Sequence, residues 1–223
     1  MSYWKEIYSY KELHNLIQDG VIKESFWVNS TTVNKLEGVR EIRTGEYGTV
    51  HFKNLIEIGE LEYIDCDFSF FGNLKSLNNL KYVGGELRFG APLKSLGVLK
   101  EIKGDLRPTT NDLEDLGYLS KVGGTVDLRG MINIIDLSSL KEIGGNLNLV
   151  KSLIDQYDLS KVKVNGRIIY WNKKPTFYKS EYLQNKSKIP PAWENRGPYE
   201  FENYLVIPNI EQFDFYKYFK NYY

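Results

Sequence analysis

The sequence predicts an α/β solenoid built on a continuous parallel sheet, with a helical cap at one end and an aromatic-rich cap at the other. Three observations predict it. Apolar residues recur at every third position in several in-register runs. A glycine-bearing corner closes each run, and a short alternating segment follows each corner.

The runs can be set out residue by residue. Leu74, Leu77, Leu80 and Val83 precede Gly84-Gly85-Glu86-Leu87. Leu93, Leu96, Leu99 and Ile102 precede Lys103-Gly104-Asp105-Leu106. Leu113, Leu116, Leu119 and Val122 precede Gly123-Gly124-Thr125-Val126. Ile134, Leu137, Leu140 and Ile143 precede Gly144-Gly145-Asn146-Leu147. The period is roughly 20 residues, the scale of a stacked repeat. Degraded copies flank the array. Ile58-Gly59-Glu60-Leu61 reads as an upstream anchor that has lost one residue, and a weaker copy surrounds Val39, Ile42 and Val50. Downstream, Leu159 and Val162 lead to Val164-Asn165-Gly166-Arg167-Ile168.

Within one unit, the three-residue spacing suits a tight helical or 3₁₀-like arc with its side chains on one face. The glycine pair supplies backbone freedom for the corner. In the alternating segment, period two sets Leu87 and Phe89 inward and Glu86 and Arg88 outward. A single unit cannot bury its apolar side, whereas stacked units can.

The L-x-x-L-x-x-L-x-x-[IV]-x-G-x-L pattern resembles the bacterial and phage leucine-rich repeat proteins. It is also similar to the receptor L domain, a right-handed β-helix-like solenoid. The resemblance covers Leu74 to Tyr170 and extends faintly back to Val39. It implies architecture and carries no activity. The extracellular receptor domains are cysteine-bearing and this chain has one cysteine, so a receptor role does not follow.

The chain divides into a cap over 1–30, a solenoid over 31–170 and a second cap over 171–223. In the first cap, Ser9-Tyr10-Lys11-Glu12 fits a capping box. Leu13, Leu16 and Ile17 form a helical stripe, Gly20 fits a helix stop, and Phe26-Trp27-Val28 reads as the strand that starts the sheet. The last segment is dense in aromatics, Trp171 and Trp193 among them, around a Pro190-Pro191 loop, with Asn209 to Gln212 opening a short final helix. These aromatics seal the last coil, form a binding surface, or do both.

Composition narrows the function. The 29 basic and 29 acidic residues give a formal net charge of +0, so no charge excess points to nucleic acid or a membrane surface. Mean hydropathy of −0.41, with no long apolar run, excludes a membrane-spanning helix. The first residues lack the apolar stretch of a secretory signal, and Cys66 has no intramolecular partner, so a reducing cytosol is expected. Abundant Lys, Asn, Ile and Tyr suggest an AT-rich genome, as in low-GC bacteria and their phages.

Catalytic signatures are lacking. His14 and His51 have no ligand spacing, which predicts no metal. Cys66 sits between Asp65 and Asp67, which oppose a nucleophilic thiolate. The recurring glycines are corners rather than phosphate loops, and no cofactor fingerprint is present. Asp65/Asp67 and Asp112/Glu114/Asp115 read as solvated turn acids.

The repeat register also predicts the outward columns of the sheet. One reads Glu60, Glu86, Asp105, Thr125, Asn146, Arg167, and the next Glu62, Arg88, Arg107, Asp127, Asn148, Ile169. These charges satisfy one another across strands, or they form a recognition strip of Arg88, Arg107, Asp127 and Arg129 for a carboxylate-bearing partner. The expectation is a non-enzymatic module that binds a protein partner, of inhibitor or immunity type, through that strip with Trp171 and Trp193. A glycan or small-molecule binder, or lyase-like enzyme, on the same scaffold is the second reading, and an assembly subunit the third.

Overall fold

A computed structural model describes residues 4–45, 47–133, 136–150, 157–171 and 204–207. The chain winds as a parallel β-solenoid in which successive coils each add one strand to each of two sheets. In the longer sheet, Lys5–Ile7, Phe26–Val28, Thr49–Leu55, Asp67–Gly72, Leu87–Gly90, Leu106–Pro108, Val126–Asp127, Leu147–Val150 and Ile168–Trp171 lie side by side in chain order, all parallel. Tyr204–Ile207 adds an antiparallel strand beyond the last. In the shorter sheet, two-residue strands run in chain order from Val21–Ile22 to Lys163–Val164.

Inward residues of both sheets converge in one core. Val50, Phe68, Leu87, Leu106, Val126, Leu147 and Ile168 form one stacked column, and Phe52, Phe70, Phe89 and Leu149 belong to the next. Phe70 and Phe89 stack with ring centroids 5.6 Å apart. Each such aromatic removes a large apolar area from water, which is the main favourable term for a coil that cannot fold alone.

The three-residue spacing does not produce a helical arc. In each central coil it spans a β-turn and the short strand after it. Leu80 N–H donates to Leu77 O, Leu99 to Leu96, Leu119 to Leu116 and Leu140 to Leu137. A Ser or Asp before the turn stabilises it, since Ser76, Ser95, Asp115, Asp136 and Asp158 each accept from the N–H two residues on. Such side-chain turns compete with helix. The α/β expectation therefore becomes an almost entirely β solenoid among the described residues.

The glycine corners have a different cause from the one expected. None of the glycines in the 84–85, 123–124 and 144–145 pairs has positive φ. They are needed because stacked backbones nearly touch. A Cβ on Gly145 would lie 2.7 Å from Gly124 C and 2.8 Å from Thr125 N. The N–H of Gly104, Gly124, Gly145 and Gly166 each donates to the glycine carbonyl one coil earlier, so the ladder runs unbroken through the corner. Positive φ is found at the opposite turn, at Gly59, Asn78, Gly97 and Gly117.

That location explains a register error. Ile58-Gly59-Glu60-Leu61 is the β-turn of its coil, because Ile64 pairs with Val83 and Phe68 with Leu87. Its Gly59, at φ +54, imitates a corner glycine in sequence. Asp67 and Ser69, not Glu60 and Glu62, therefore stand in the outward columns. The weak copies do hold, as Ile42 pairs with Ile64, Val50 with Phe68, and Ile168 with Leu147.

In the N-terminal segment the Ser9/Glu12 capping box forms, but the helix covers Tyr10–His14 alone. Ile17–Gln18 and Val21–Ile22 instead make a hairpin through Asp19 and Gly20, both at positive φ, which is the geometry of a tight two-residue turn. Gly20 is thus a hairpin residue rather than a helix stop. Phe26–Val28 is a strand, but Lys5–Ile7 precedes it at the sheet edge.

Two glycine substitutions separate the two causes. Gly145→Ala should lose roughly 3 kcal/mol in urea unfolding, because backbone must move. Gly97→Ala, with open space around its Cβ, should lose about 1 kcal/mol from its φ alone. Equal losses would contradict this account of the corner.

Candidate functional site

Each parallel strand of the longer sheet places one residue in a central outward column that runs along the solenoid. From the N-terminal end it reads Glu6, Trp27, His51, Ser69, Arg88, Arg107, then Asp127, Asn148 and Ile169. On the corner side lies a second column of Asp67, Glu86, Asp105, Thr125, Asn146 and Arg167. Much of this column is structural. Asp67 Oδ1 accepts from Glu86 N–H at 2.6 Å, Asp105 Oδ1 from Thr125 N–H at 2.6 Å, and Asn146 Oδ1 from Arg167 N–H at 2.8 Å. A side-chain ladder thus ties one coil to the next beside the glycines.

The middle of the face is internally paired. Arg107 Nη2 lies 2.5 Å from Asp105 Oδ2, and its Nε lies 3.4 Å from Glu86 Oε2. Arg129 grips Asp127 with two bonds, at 2.8 and 2.6 Å. Arg107, Asp127 and Arg129 therefore spend their charge on the protein itself. Farther along, Asn148 and Val150 are buried. The shorter sheet is similarly self-satisfied. Tyr63 stacks on Tyr82, Glu101 meets Lys121, and Glu142 meets Lys163.

At the N-terminal end the face is different. Ser69 is small and lies between His51 and Arg88 in the column, and Thr49, also small, lies beside Ser25 and Asp67. The result is an open hollow of about 370 Å³, lined by Trp4, Trp27, His51, Phe71, Glu86 and Arg88 together with Thr49, Asp67 and Ser69. Trp4 and Trp27 form one wall, with ring centroids 5.5 Å apart, and are 49% and 36% exposed, which leaves large apolar rings facing water. His51 sits edge-on to Trp27 at 4.8 Å and faces Phe71 at 5.9 Å. Arg88 forms the opposite wall. It is exposed and makes no side-chain hydrogen bond or ion pair among the described residues.

The electrostatics follow from this packing. Burial against the aromatic rings pushes the His51 pKa below its ordinary value, and the nearby Arg88 charge adds to the effect. Burial also raises the Glu86 carboxyl, with Arg107 and, more weakly, Arg88 opposing, and with Asp105 and Asp67 adding to the rise. His51 Nδ1 and Ser69 Oγ are 3.2 Å apart, a nucleophile–base spacing. Yet the strand holding Ser69 is paired on both sides, so its amides serve the sheet and not an oxyanion. No carboxylate hydrogen-bonds to His51 among the described residues.

The sequence-predicted site is thus only partly assembled. Arg88 and Arg107 are neighbours, Asp127 and Arg129 follow, and Trp171 ends the last parallel strand at the far end of the sheet. Trp193 and the Pro190-Pro191 loop lie outside the described residues, as does Ile134. Trp4, Trp27, His51, Ser69 and Phe71 were not expected to share a site, although Trp27 was expected in a strand and His51 was weighed as a metal ligand. Period two in Phe26-Trp27-Val28 and Val50-His51-Phe52 was their available signal, hidden by the extra residues between Ile42 and Val50. Cys66 is buried, which pushes its thiol up to about 12. Of the remaining acids, Asp65 accepts from the Thr44 and Gly45 N–H groups, and Glu114 pairs with Lys94.

Among the described residues no cluster of His, Cys, Asp and Glu has the makings of a metal site, and no helix is long and apolar enough to cross a membrane. The chain matches no protein-family model, no curated protein and no solved structure.

His51 provides a pH test. Its folded pKa is lowered, so the unfolded chain takes the proton more readily. The stability it contributes is full above the unfolded histidine pKa of about 6.5 and is lost as pH falls from there toward the folded pKa. Thermal midpoints followed from about pH 7.5 to 5.5 should decline in the wild type and decline less in His51→Phe. Parallel curves would show that His51 is not the group responsible.

Proposed function

We propose that this chain is a non-enzymatic binding module that docks a protein partner on the outer face of its longer sheet. The observation that carries the proposal is the hollow at the N-terminal end of that face, where half-exposed tryptophans oppose an arginine that makes no hydrogen bond or ion pair among the described residues. Trp and Arg dominate binding hot spots because they give large contact area and directed charge. Elsewhere the face offers charges already paired with each other, which add complementarity rather than energy. For a bacterial or phage host an inhibitor or immunity role is the analogy such a solenoid offers, and the single cysteine accords with a reducing cytosol.

A second reading is favoured by one feature. The hollow's volume of about 370 Å³ falls within the range of small-ligand pockets, so a glycan or other small polar ligand would also fit.

Affinity capture from the native host, compared across variants, tests the proposal. Arg88→Ala should weaken the captured complex by about 30-fold, the scale of one hot-spot residue, as should Trp27→Ala. Arg107→Gln should change it less than about fivefold, because Arg107 is already paired. Retention of the partner by folded Arg88→Ala would remove the face from the account. A bound metabolite in place of a protein would favour the second reading.

A further inference from the structure

We infer that the hollow recognises an extended peptide segment in which an apolar or aromatic residue lies four positions from a carboxylate. This deepens the protein-partner reading above and rests on it.

The argument begins with spacing. Trp27, His51, Ser69 and Arg88 occupy one outward column on four successive strands. Neighbouring strands are roughly 4.8 Å apart, so the aromatic wall and the guanidinium are separated by roughly 14 Å along the solenoid. An extended peptide advances roughly 3.3 Å per residue, so roughly four residues span that distance. Residues i, i+2 and i+4 of an extended chain share a face. The first would therefore meet Trp27 and Trp4, the middle one would lie between His51 and Ser69, and the last would reach Arg88.

Unmet hydrogen-bond donors select the carboxylate end. Two carboxylates also line the hollow, each with a partner of its own. Asp67 holds the Glu86 amide, and Glu86 lies 3.4 Å from Arg107 and also interacts with Arg88 through space. His51 is disposed toward its neutral form by burial. Arg88 is the one arginine of the lining and makes no hydrogen bond among the described residues, and its planar fork suits a carboxylate held by two bonds. Affinity comes from side chains, because the sheet amides beneath are already paired.

The test uses fluorescein-labelled synthetic peptides with one Phe and one Glu set two, four or six positions apart in a Ser/Thr background, titrated into the full chain by anisotropy. The four-apart peptide should bind about tenfold more tightly than the others. Arg88→Ala should erase that preference, and Arg88→Glu should transfer it to the four-apart peptide carrying Lys in place of Glu. Trp27→Ala should weaken the four-apart peptide without altering the Glu-over-Lys choice. Equal binding by all three spacings, absence of binding, or a preference that survives Arg88→Ala would overturn the inference. If host capture still depends on Arg88 while the peptides show no preference, the peptide chemistry fails and the partner reading stands. If capture is indifferent to Arg88, the partner reading fails with it.

Discussion

Consecutive coils of this protein meet backbone to backbone at the glycine corner, and the rest of the architecture is built around that contact. With no Cβ on Gly124 or Gly145, the amide of one coil reaches the carbonyl of the coil before, at 2.9 and 2.8 Å. The neighbouring ladder of Asp67, Asp105, Thr125 and Asn146 then satisfies the next row of amides with side-chain oxygens. Buried backbone groups left unpaired at such a corner would be costly, so the ladder and the glycines form one device. Together they fix the register of the longer sheet, and with it the order of every outward side chain.

The outer face inherits its character from that register. Where Asp and Arg fall two residues apart, as in Asp105/Arg107 and Asp127/Arg129, they pair and neutralise each other. Where the column places small Ser69 between His51 and Arg88, the surface sinks and the aromatic rings at the N-terminal end become a wall. A recognition site and an inert surface thus arise from one repeated geometry, differing in a few side chains. A solenoid suits this division of labour, since each coil can vary its outward residues without disturbing the core.

Much of this was legible in the sequence. The constant spacing from Leu77 through Leu80 and Val83 to Leu87 recurs intact in the central coils, and those columns follow directly from it. Errors arose where one residue type serves two purposes. Gly59 meets a positive-φ requirement in a turn, yet in sequence it resembles the close-approach glycines. The helical expectation for the three-residue runs failed because Ser and Asp before each turn capture the backbone locally. The hollow was not legible, because it depends on the height of Ser69 relative to side chains on three other coils. It also depends on Trp4, which immediately precedes a strand, Lys5–Ile7, that the sequence did not reveal.

The most direct test of the central claim is hydroxyl-radical footprinting of the chain bound to its captured partner. The account predicts strong protection of Trp4, Trp27 and Phe71. Tyr47 and Tyr118, which are 88% and 72% exposed and lie outside the hollow, should remain as reactive as in the free chain. Protection of Tyr47 or Tyr118 with Trp4 and Trp27 unchanged would contradict it.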